Sequence, residues 1–226
     1  RRLLTLAATG ARCPGVPHLA PFVLRAGEVL ELGFPVSGVR TYLAVRGGVD
    51  VDPVLGSRST DVLSGLGPPA VAAGDELPVG DGEHPMPGVD VAPVAEPKAG
   101  EVRVLLHHGP RRDWFTDQAW ATLCGEPHLV TADSNRIGLR LESSRLERAR
   151  EGELRSEGMM RGAVQVPPDG GLVLFLADHP VTGGYPVIGY VEDDHVDRCA
   201  QLQPGQALRL VPATQQPPRP SDDEGR

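Results

Sequence analysis

Three hydroxyls and an arginine lie close together in the segment Gly56-Ser57-Arg58-Ser59-Thr60-Asp61. Hydroxyls and backbone amides in such a turn can hold an oxyanion, and a guanidinium adds a planar fork that fits a carboxylate or a phosphate. The same residues can instead form a Ser/Thr-rich turn in which Arg58 pairs with Asp61. Spacing alone leaves both interpretations open.

A second polar segment, residues 132–138, precedes the strand-like residues 139–141. Within it, Asn135 and Arg136 offer several hydrogen-bond donors at the entrance to the strand. These donors are suited to an anionic ligand, because strand ends and the loops that follow them commonly carry binding residues. The alternative is that the two side chains only cap the end of a barrel.

A third segment follows the apolar residues 172–176. Asp178 beside His179 is a candidate acid/base pair, because histidine titrates near neutrality. Gly183 and Gly184 would let a ligand approach the backbone closely. A glycine turn with a surface histidine is the alternative.

Neither a metal site nor a nucleotide loop is predicted. The sequence lacks the G-x-x-x-x-G-K-S/T, H-E-x-x-H and G-x-S-x-G patterns. Asp50 and Asp52 begin like a calcium loop, but Val54 stands where the next oxygen ligand belongs. Adjacent strand residues point to opposite faces, so His107 and His108 are interpreted as a strand end and not as a ligand pair.

Composition excludes some classes of partner. The 226 residues carry 22 basic and 30 acidic side chains, a formal net charge of −8. Nonspecific nucleic-acid binders and proteins bound to acidic membranes are usually basic, so neither partner is expected. No apolar run reaches the roughly 18 residues of a membrane helix. The three cysteines are far apart and form no CxxC, which favours a reducing cytoplasm.

Short segments with the alternation of β-strands dominate the chain, and we expect an all-β fold with a few short helices. Two hairpins are predicted, one turning at Gly27 and one at the Pro/Asp/Gly run 167–171. The predicted strands are 22–24, 29–32, 40–45, 101–106, 162–166, 172–176, 186–191 and 207–211. The predicted helices are 116–123 and 194–201, and residues 144–151 are either a helical turn or a loop.

Residues 1–80 are predicted to form a first β subdomain and residues 101–212 a second one. Between them, residues 81–100 are rich in proline and glycine and lack periodicity, which is typical of a linker. The tail, residues 213–226, is rich in Pro, Gln and Asp and is expected to be disordered.

Four segments carry a family resemblance: YLAVRGGVDVDPVLGSRST (42–60), SNRIGLRLE (134–142), VQVPPDG (164–170) and LADHPVTGGYP (176–186). In this order they resemble the signatures of the allophanate hydrolase subunit 2 family, also called the biotin-dependent carboxyltransferase family. The family's N-terminal Gln-Asp-x-Gly-Arg type motif is absent, so the first subdomain is expected to be N-terminally incomplete. His179 and Pro180 replace an Arg-Gln pair of many members, so the His179 side chain is assigned no role.

The resemblance implies two cyclophilin-like β-barrel halves. It also implies the C subunit of a prokaryotic ATP-dependent 5-oxoprolinase, which opens the 5-oxoproline ring to glutamate together with partner subunits. Another implied activity is that of a carboxyltransferase component acting on urea or a related amide through carboxybiotin. The family also contains an antagonist of a sporulation kinase inhibitor, which implies a non-enzymatic alternative, a regulatory module that binds such an inhibitor.

The implied partners are a kinase-inhibitor-like protein, similar to the B subunit of 5-oxoprolinase, and a small lactam or amide substrate. ATP would act through the complex. Biotin would be carried by another protein, because Lys98, the only lysine, lies between Pro97 and Ala99 and not between methionines.

The polar and glycine positions of the four segments are predicted to line one pocket for an anionic ligand, since each lies at a strand end or a turn. Arg58 and Asp178 are the predicted catalytic residues. The predicted substrate-binding residues are Ser57, Ser59, Thr60, Asn135, Arg136, Gln165, Gly183, Gly184 and Tyr185.

Overall fold

The computed structural model describes residues 3–213 except 83, 84, 87 and 89. The chain divides into two units. The first extends to Ala99 and includes Gln201–Gln203, and the second comprises Gly100–Ala200 and the residues from Pro204 onward. The domain boundaries that composition suggests, near residues 80, 100 and 212, stay predictions.

The first unit contains a three-stranded antiparallel sheet. Its central strand is β1 (Leu4–Gly10), flanked by β2 (Pro21–Leu24) and β3 (Thr41–Val45). Leu6 and Ala8 of β1 are buried because alternate side chains of a strand share one face. Ala8 packs with Cys13 and Val16 in a small apolar cluster.

The predicted hairpin at Gly27 is wrong in its second strand. The turn itself forms, with Gly27 at a φ of 87° and the Glu28 N–H donating to Arg25 O. However, β2 pairs with β1 and not with residues 29–32, which have no strand partner among the described residues. Val29 is 81% exposed, whereas Leu30 is partly buried against the cluster that contains Ala8, so the segment packs on the first unit without joining its sheet.

The second unit contains a closed seven-stranded barrel, and the all-β prediction is confirmed. Around the barrel the strands run β11 (Val187–Val191), β4 (Val102–His108), β12 (Ala207–Pro212), β5 (His128–Val130), β6 (Gly138–Glu142), β9 (Leu172–Phe175) and β8 (Ala163–Gln165), which pairs back to β11. Neighbours β12 and β4 are parallel, and the other neighbours are antiparallel. Closure leaves the barrel without free edges.

Apolar side chains at alternate strand positions fill the barrel interior. Val102, Val104 and Leu106 of β4 are buried while the residues between them are exposed, as the sequence predicts. The predicted hairpin of residues 162–176 is also present, since β8 and β9 pair with Gln165 opposite Val173. Outside the barrel, a two-stranded ribbon is formed by β7 (Glu157–Gly158) and β10 (Thr182–Gly183).

Two short α-helices and a 3-10 turn complete the described part of the second unit. Helix α1 (Asp117–Gly125) begins after Thr116, whose side chain accepts a hydrogen bond from the Ala119 N–H and so caps the helix. Helix α2 (Asp193–Cys199) ends close to its predicted end, and the 3-10 turn is Arg112–Trp114. Residues 144–151 form a loop and not a helix.

The described part of residues 81–100 contains no helix or strand. Of the predicted disordered tail, only Ala213 is described, and its N–H donates to Leu106 O; residues 214–226 lie outside the described residues. Within the described ranges, no helix combines the length and the apolar character needed to cross a bilayer.

A buried histidine joins α1 to the barrel and predicts a pH dependence of stability. His128 has no exposed surface, its Nε2 donates to Leu123 O at 2.8 Å, and burial lowers the pKa of its ring from 6.5. The unfolded chain takes up a proton near pH 6.5 and the native chain does so only at lower pH. Stability is therefore fully present above pH 6.5 and falls below it, by up to about 1.4 kcal/mol per pH unit.

We expect His128→Gln, which keeps an N–H donor but does not titrate, to flatten the free energy of unfolding between about pH 6.5 and pH 5. Urea unfolding at several pH values measures this slope. Some slope should remain in the variant, because burial also lowers the pKa of His195. An unchanged slope in the variant would contradict the assignment.

Candidate functional site

In the first unit, the Arg58 guanidinium is engaged by its own loop. Its Nε donates to Val51 O at 2.7 Å, and its Nη2 donates to Asp50 Oδ1 at 2.9 Å. Arg58 therefore pairs with Asp50, whereas the sequence analysis offered Asp61 as its partner. Asp61 instead accepts hydrogen bonds from Leu63 N and Ser64 Oγ, so its carboxylate closes a turn of its own.

The hydroxyls beside Arg58 also serve this loop. Ser57 Oγ accepts a hydrogen bond from the Ser59 N–H, and Thr60 Oγ1 donates to Pro68 O at 2.6 Å. Such short-range side-chain bonds are typical of Ser/Thr turns. Arg58 and Asp50 nevertheless remain about half exposed, so their pair is open to solvent.

In the second unit, Arg136 and Asp178 form an ion pair with 2.7 Å between Nη2 and Oδ2. The pairing of β6 with β9 brings the two residues together, since Gly138 lies opposite Phe175 and the chain continues from both strands into these loops. The backbone ties them further, because the Asp178 N–H donates to Arg136 O. The side chains are 51% and 34% exposed, although the Asp178 Oδ2 atom itself is buried.

Asn135 shapes the loop that carries Arg136. Its Oδ1 accepts hydrogen bonds from the N–H groups of Ile137 and Gly138, at 2.9 and 3.3 Å. This is the turn-forming use of an asparagine side chain, in which the carbonyl mimics a backbone acceptor. His179 is likewise held locally, with Nδ1 donating to Pro180 O.

Gln165 is buried on the outer face of the barrel beneath the β7–β10 ribbon. Only 5% exposed, it donates from Nε2 to Tyr185 O at 3.0 Å. A Cβ added at Gly183 would lie 2.9 Å from that nitrogen, so a glycine at residue 183 lets the ribbon lie close to the amide, and a larger residue would require the Gln165 side chain to shift. Gly184 and the 46% exposed Tyr185 continue the same segment.

An arginine and a glutamate that the sequence analysis did not single out, Arg111 and Glu157, form an ion pair at the ribbon. Arg111 Nε donates to Glu157 Oε2 at 3.0 Å, and a second bond joins Nη2 to Oε1. The Arg111 guanidinium lowers the pKa of Glu157, and burial together with the Glu157 charge raises the pKa of Tyr190. Arg111 and Glu157 are 46 residues apart and lie in no motif, so no local pattern announces the pair.

The predicted site residues therefore fall into three groups. Ser57, Arg58, Ser59 and Thr60 lie in the first unit. In the second unit, Asn135, Arg136 and Asp178 lie together, and so do Gln165, Gly183, Gly184 and Tyr185. On β9, Val173 lies opposite Gln165, and Phe175 lies opposite Gly138, which follows the loop that carries Asn135 and Arg136. The Gln165 group and the Arg136 group are therefore offset by two residues, about 7 Å along the strand. That all three line one pocket stays a prediction.

No group of three or more His, Cys, Asp or Glu residues suited to a metal ion occurs among the described residues. The chemistry of the second-unit groups is that of guanidinium, carboxylate and amide. A guanidinium with a carboxylate next to it can bind an anionic group and hold or move a proton.

Comparison with known proteins places the chain in a family. The family described as "Carboxyltransferase domain, subdomain A and B" matches residues 2–212. The chain belongs to the carboxyltransferase-domain family.

This carboxyltransferase-domain chain is similar to proteins of two kinds, a 5-oxoprolinase subunit and a urea amidolyase. It is 35% identical over 191 residues to the C subunit of 5-oxoprolinase from Escherichia coli (strain K12), covering 83% of this chain and 61% of that protein. It is 26% identical over 220 residues to "Urea amidolyase" of Saccharomyces cerevisiae (strain ATCC 204508 / S288c), covering 87% of this chain and 12% of that protein. The chain thus spans less than two thirds of either relative.

A solved structure supports the fold of the carboxyltransferase-domain chain. The crystal structure of the K. lactis urea amidolyase superposes with a TM-score of 0.83 at 23% identity, over 94% of this chain and 15% of that one. At this identity the likeness supports the fold alone.

Proposed function

We propose that the chain is part of a component of an ATP-dependent 5-oxoprolinase complex, of the type of the C subunit. The observation that carries this proposal is the 35% identity to the E. coli protein named as that subunit. The reaction breaks the lactam C–N bond of 5-oxoproline: water gives a hydroxyl to the carbonyl carbon and a proton to the nitrogen, which yields glutamate. Hydrolysis of ATP to ADP and phosphate accompanies this step.

In this proposal, Arg136 binds the substrate carboxylate and Asp178 holds or moves a proton at the lactam. The geometry supports these roles because the two side chains form a partly exposed pair at a loop that the backbone holds in place. Gln165 and the glycines at 183 and 184 form the neighbouring wall. Because Gln165 is buried and uses one amide hydrogen on Tyr185 O, its orientation is fixed before a ligand arrives.

ATP is proposed to bind to partner subunits, since this chain offers no phosphate-binding loop of the G-x-x-x-x-G-K-S/T type. The proposed partner is a kinase-inhibitor-like protein similar to the B subunit of 5-oxoprolinase. A cytoplasmic complex fits the free cysteines Cys13, Cys124 and Cys199.

The test is reconstitution. The chain is co-expressed with the kinase-inhibitor-like partner and the ATP-hydrolysing subunit, and glutamate and ADP are measured with 5-oxoproline present. We expect co-elution on size exclusion and glutamate formation that requires this chain. Equal glutamate formation without the chain, or separate elution at micromolar concentration, would contradict the proposal.

The similarity to urea amidolyase supports a second proposal, carboxyl transfer from carboxybiotin to urea or a related amide. Lys98 lies between Pro97 and Ala99, a poor context for biotin attachment, so another protein would carry the biotin. Incubating the chain with a carboxylated biotin carrier and urea distinguishes the two proposals. The carboxyl group on the biotin carries an isotopic label. Loss of this label from the carrier only when both urea and this chain are present would favour carboxyl transfer.

A further inference from the structure

An open cavity of about 480 Å³ lies in the second unit, and none of the residues assigned to the proposed reaction is part of its lining. Its walls come from the end of β6, the loop that follows β6, and the turn of residues 169–171 between β8 and β9. The volume lies in the range of small-molecule sites, about 300–1,000 Å³. The cavity is therefore large enough for a small metabolite with some water.

Charges of both signs line this cavity. One of them, Asp169, already accepts a hydrogen bond at Oδ1 from the Gly171 N–H at 3.1 Å. Four others have no such bond: Arg140 and Glu142, which are two residues apart on β6 and so share one face, Arg145 in the loop that follows, and Asp133. Within the described residues, none of these four side chains forms an ion pair or a side-chain hydrogen bond. Unlike the Arg136–Asp178 and Arg111–Glu157 pairs, these charges remain available to a ligand.

Two further features fit a bound molecule. Thr131 lines the same cavity, and its Oγ1 is buried with no hydrogen-bond partner in the described residues. Buried hydroxyls are normally satisfied, so a ligand or a water is needed there. The aliphatic stem of Arg145 also lies beside Gly170, whose φ of 86° lets the chain turn between β8 and β9 at the cavity wall.

We propose that this cavity binds a free polar α-amino acid, with its carboxylate at Arg140 and Arg145 and its ammonium at Asp133 and Glu142. A simple anion would lie beside unpaired carboxylates, and a simple cation would lie beside two guanidinium groups; like charges disfavour both. A zwitterion satisfies the two sets together. The cavity's aliphatic residues, Leu141 and Leu172, are themselves fully buried, which favours a polar side chain on the ligand.

This inference does not depend on the proposed reaction, because it uses none of the residues assigned to lactam opening and needs no partner subunit. The probe is L-glutamate, added to the ¹⁵N-labelled chain while the amide signals of Gly170 and Gly171 are followed by NMR. Glutarate, which lacks the ammonium group, and 5-oxoproline, whose nitrogen is uncharged, are the comparison ligands. We expect saturable glutamate binding, and binding of the two comparison ligands at least about tenfold weaker.

Two variants separate the charges. Arg145→Gln and Glu142→Gln should each weaken glutamate binding about ten- to a hundredfold, the usual effect of losing a charged hydrogen bond. Glu142→Gln should leave glutarate binding no weaker than before, because no ammonium is present to lose its partner. Arg103→Gln, on the outer face of β4, is the matched control and should bind glutamate like the parent chain.

Three results would each overturn the inference. The first is equal affinity for glutarate and glutamate, which would make the cavity a plain anion site. The second is parent-like glutamate binding by both Arg145→Gln and Glu142→Gln, with cooperative melting retained. The third is the absence of any saturable shift at Gly170 and Gly171 up to about 10 mM glutamate, since a zwitterion held at both ends should bind more tightly than that.

Discussion

Asp178→Asn is expected to lower turnover of 5-oxoproline by the reconstituted complex at least about a hundredfold. A side chain that moves a proton in the reaction typically contributes a factor of about 10² to 10⁴, and asparagine keeps the shape of aspartate while losing its basicity. Stability should change little, because the Arg136–Asp178 pair is partly exposed and such pairs contribute about 0–1 kcal/mol. The measurement is kcat and KM for glutamate formation.

Arg136 should show a different kinetic signature. If Arg136 holds the substrate carboxylate, Arg136→Gln should raise KM about ten- to a hundredfold, with a smaller effect on kcat. For Asp178→Asn, the matched control is Asp193→Asn, because Asp193 also forms a partly exposed ion pair in the second unit, with Arg161 at 3.1 Å. Parent-like kinetics of Asp178→Asn within an intact complex would show that the pair only fixes the loop.

Most strands of the second unit could be predicted from the sequence because they carry their own signal, whereas the short strands β5, β7 and β10 were not predicted. In β4, alternation separates the buried Val104 from the exposed Leu105, and in the hairpin the Pro/Asp/Gly run fixes where the chain turns. The closure of seven strands into a barrel carries no local signal. It depends on pairings between distant residues, such as Arg209 of β12 with Arg103 of β4.

The first unit shows the limit of alternation as a predictor. Residues 29–32 alternate as well as β4 does, yet Val29 is largely exposed and the segment joins none of the described sheets. A strand requires a partner as well as a pattern, and β2 pairs with β1 while no strand lies on its other edge in the described sheet. The spacing of residues 29–32 contains no information about which edge β2 uses.

For the candidate site, the sequence indicated the segments that carry polar residues but not the contacts between those segments. The segments around Asn135 and Asp178 stand out as polar residues at strand ends, but the ion pair joins Arg136 to a residue far along the chain, Asp178. The restriction at Gly183 arises from Gln165, on a different strand. Arg140 lies in the signature segment 134–142 and Arg145 lies in no motif, and neither was singled out, since only folding places them around one cavity with the turn of residues 169–171.

Gly109→Ala is expected to produce the largest loss of stability among the variants considered. A Cβ at this position would lie 2.5 Å from Val187 O, 2.7 Å from Gly189 N and 2.8 Å from Ile188 C. All three are backbone atoms of β11, which cannot move aside as a flexible side chain can. Overpacking of this kind typically costs about 1–3 kcal/mol and occasionally more.

The cause lies in how β4 ends. The Gly109 N–H donates to Ile188 O, and two residues later the Arg111 N–H donates to Val187 O, so the chain follows β11 closely after the last residue of β4. A methyl group at residue 109 must push this segment away, and Arg111 would move with it, away from Glu157. The same substitution should therefore weaken the hold of the β7–β10 ribbon over Gln165.

Gly158→Ala is the matched control, because Gly158 lies in β7 and an added Cβ there meets no atom within 4 Å. At about 2–4 °C per kcal/mol for a chain of this size, Gly109→Ala should lower the Tm by several degrees, whereas Gly158→Ala should leave it nearly unchanged. Thermal unfolding followed by circular dichroism gives both values. Equal melting of the two variants would mean that the segment after β4 does not approach β11 as closely as the backbone contacts of Gly109 require.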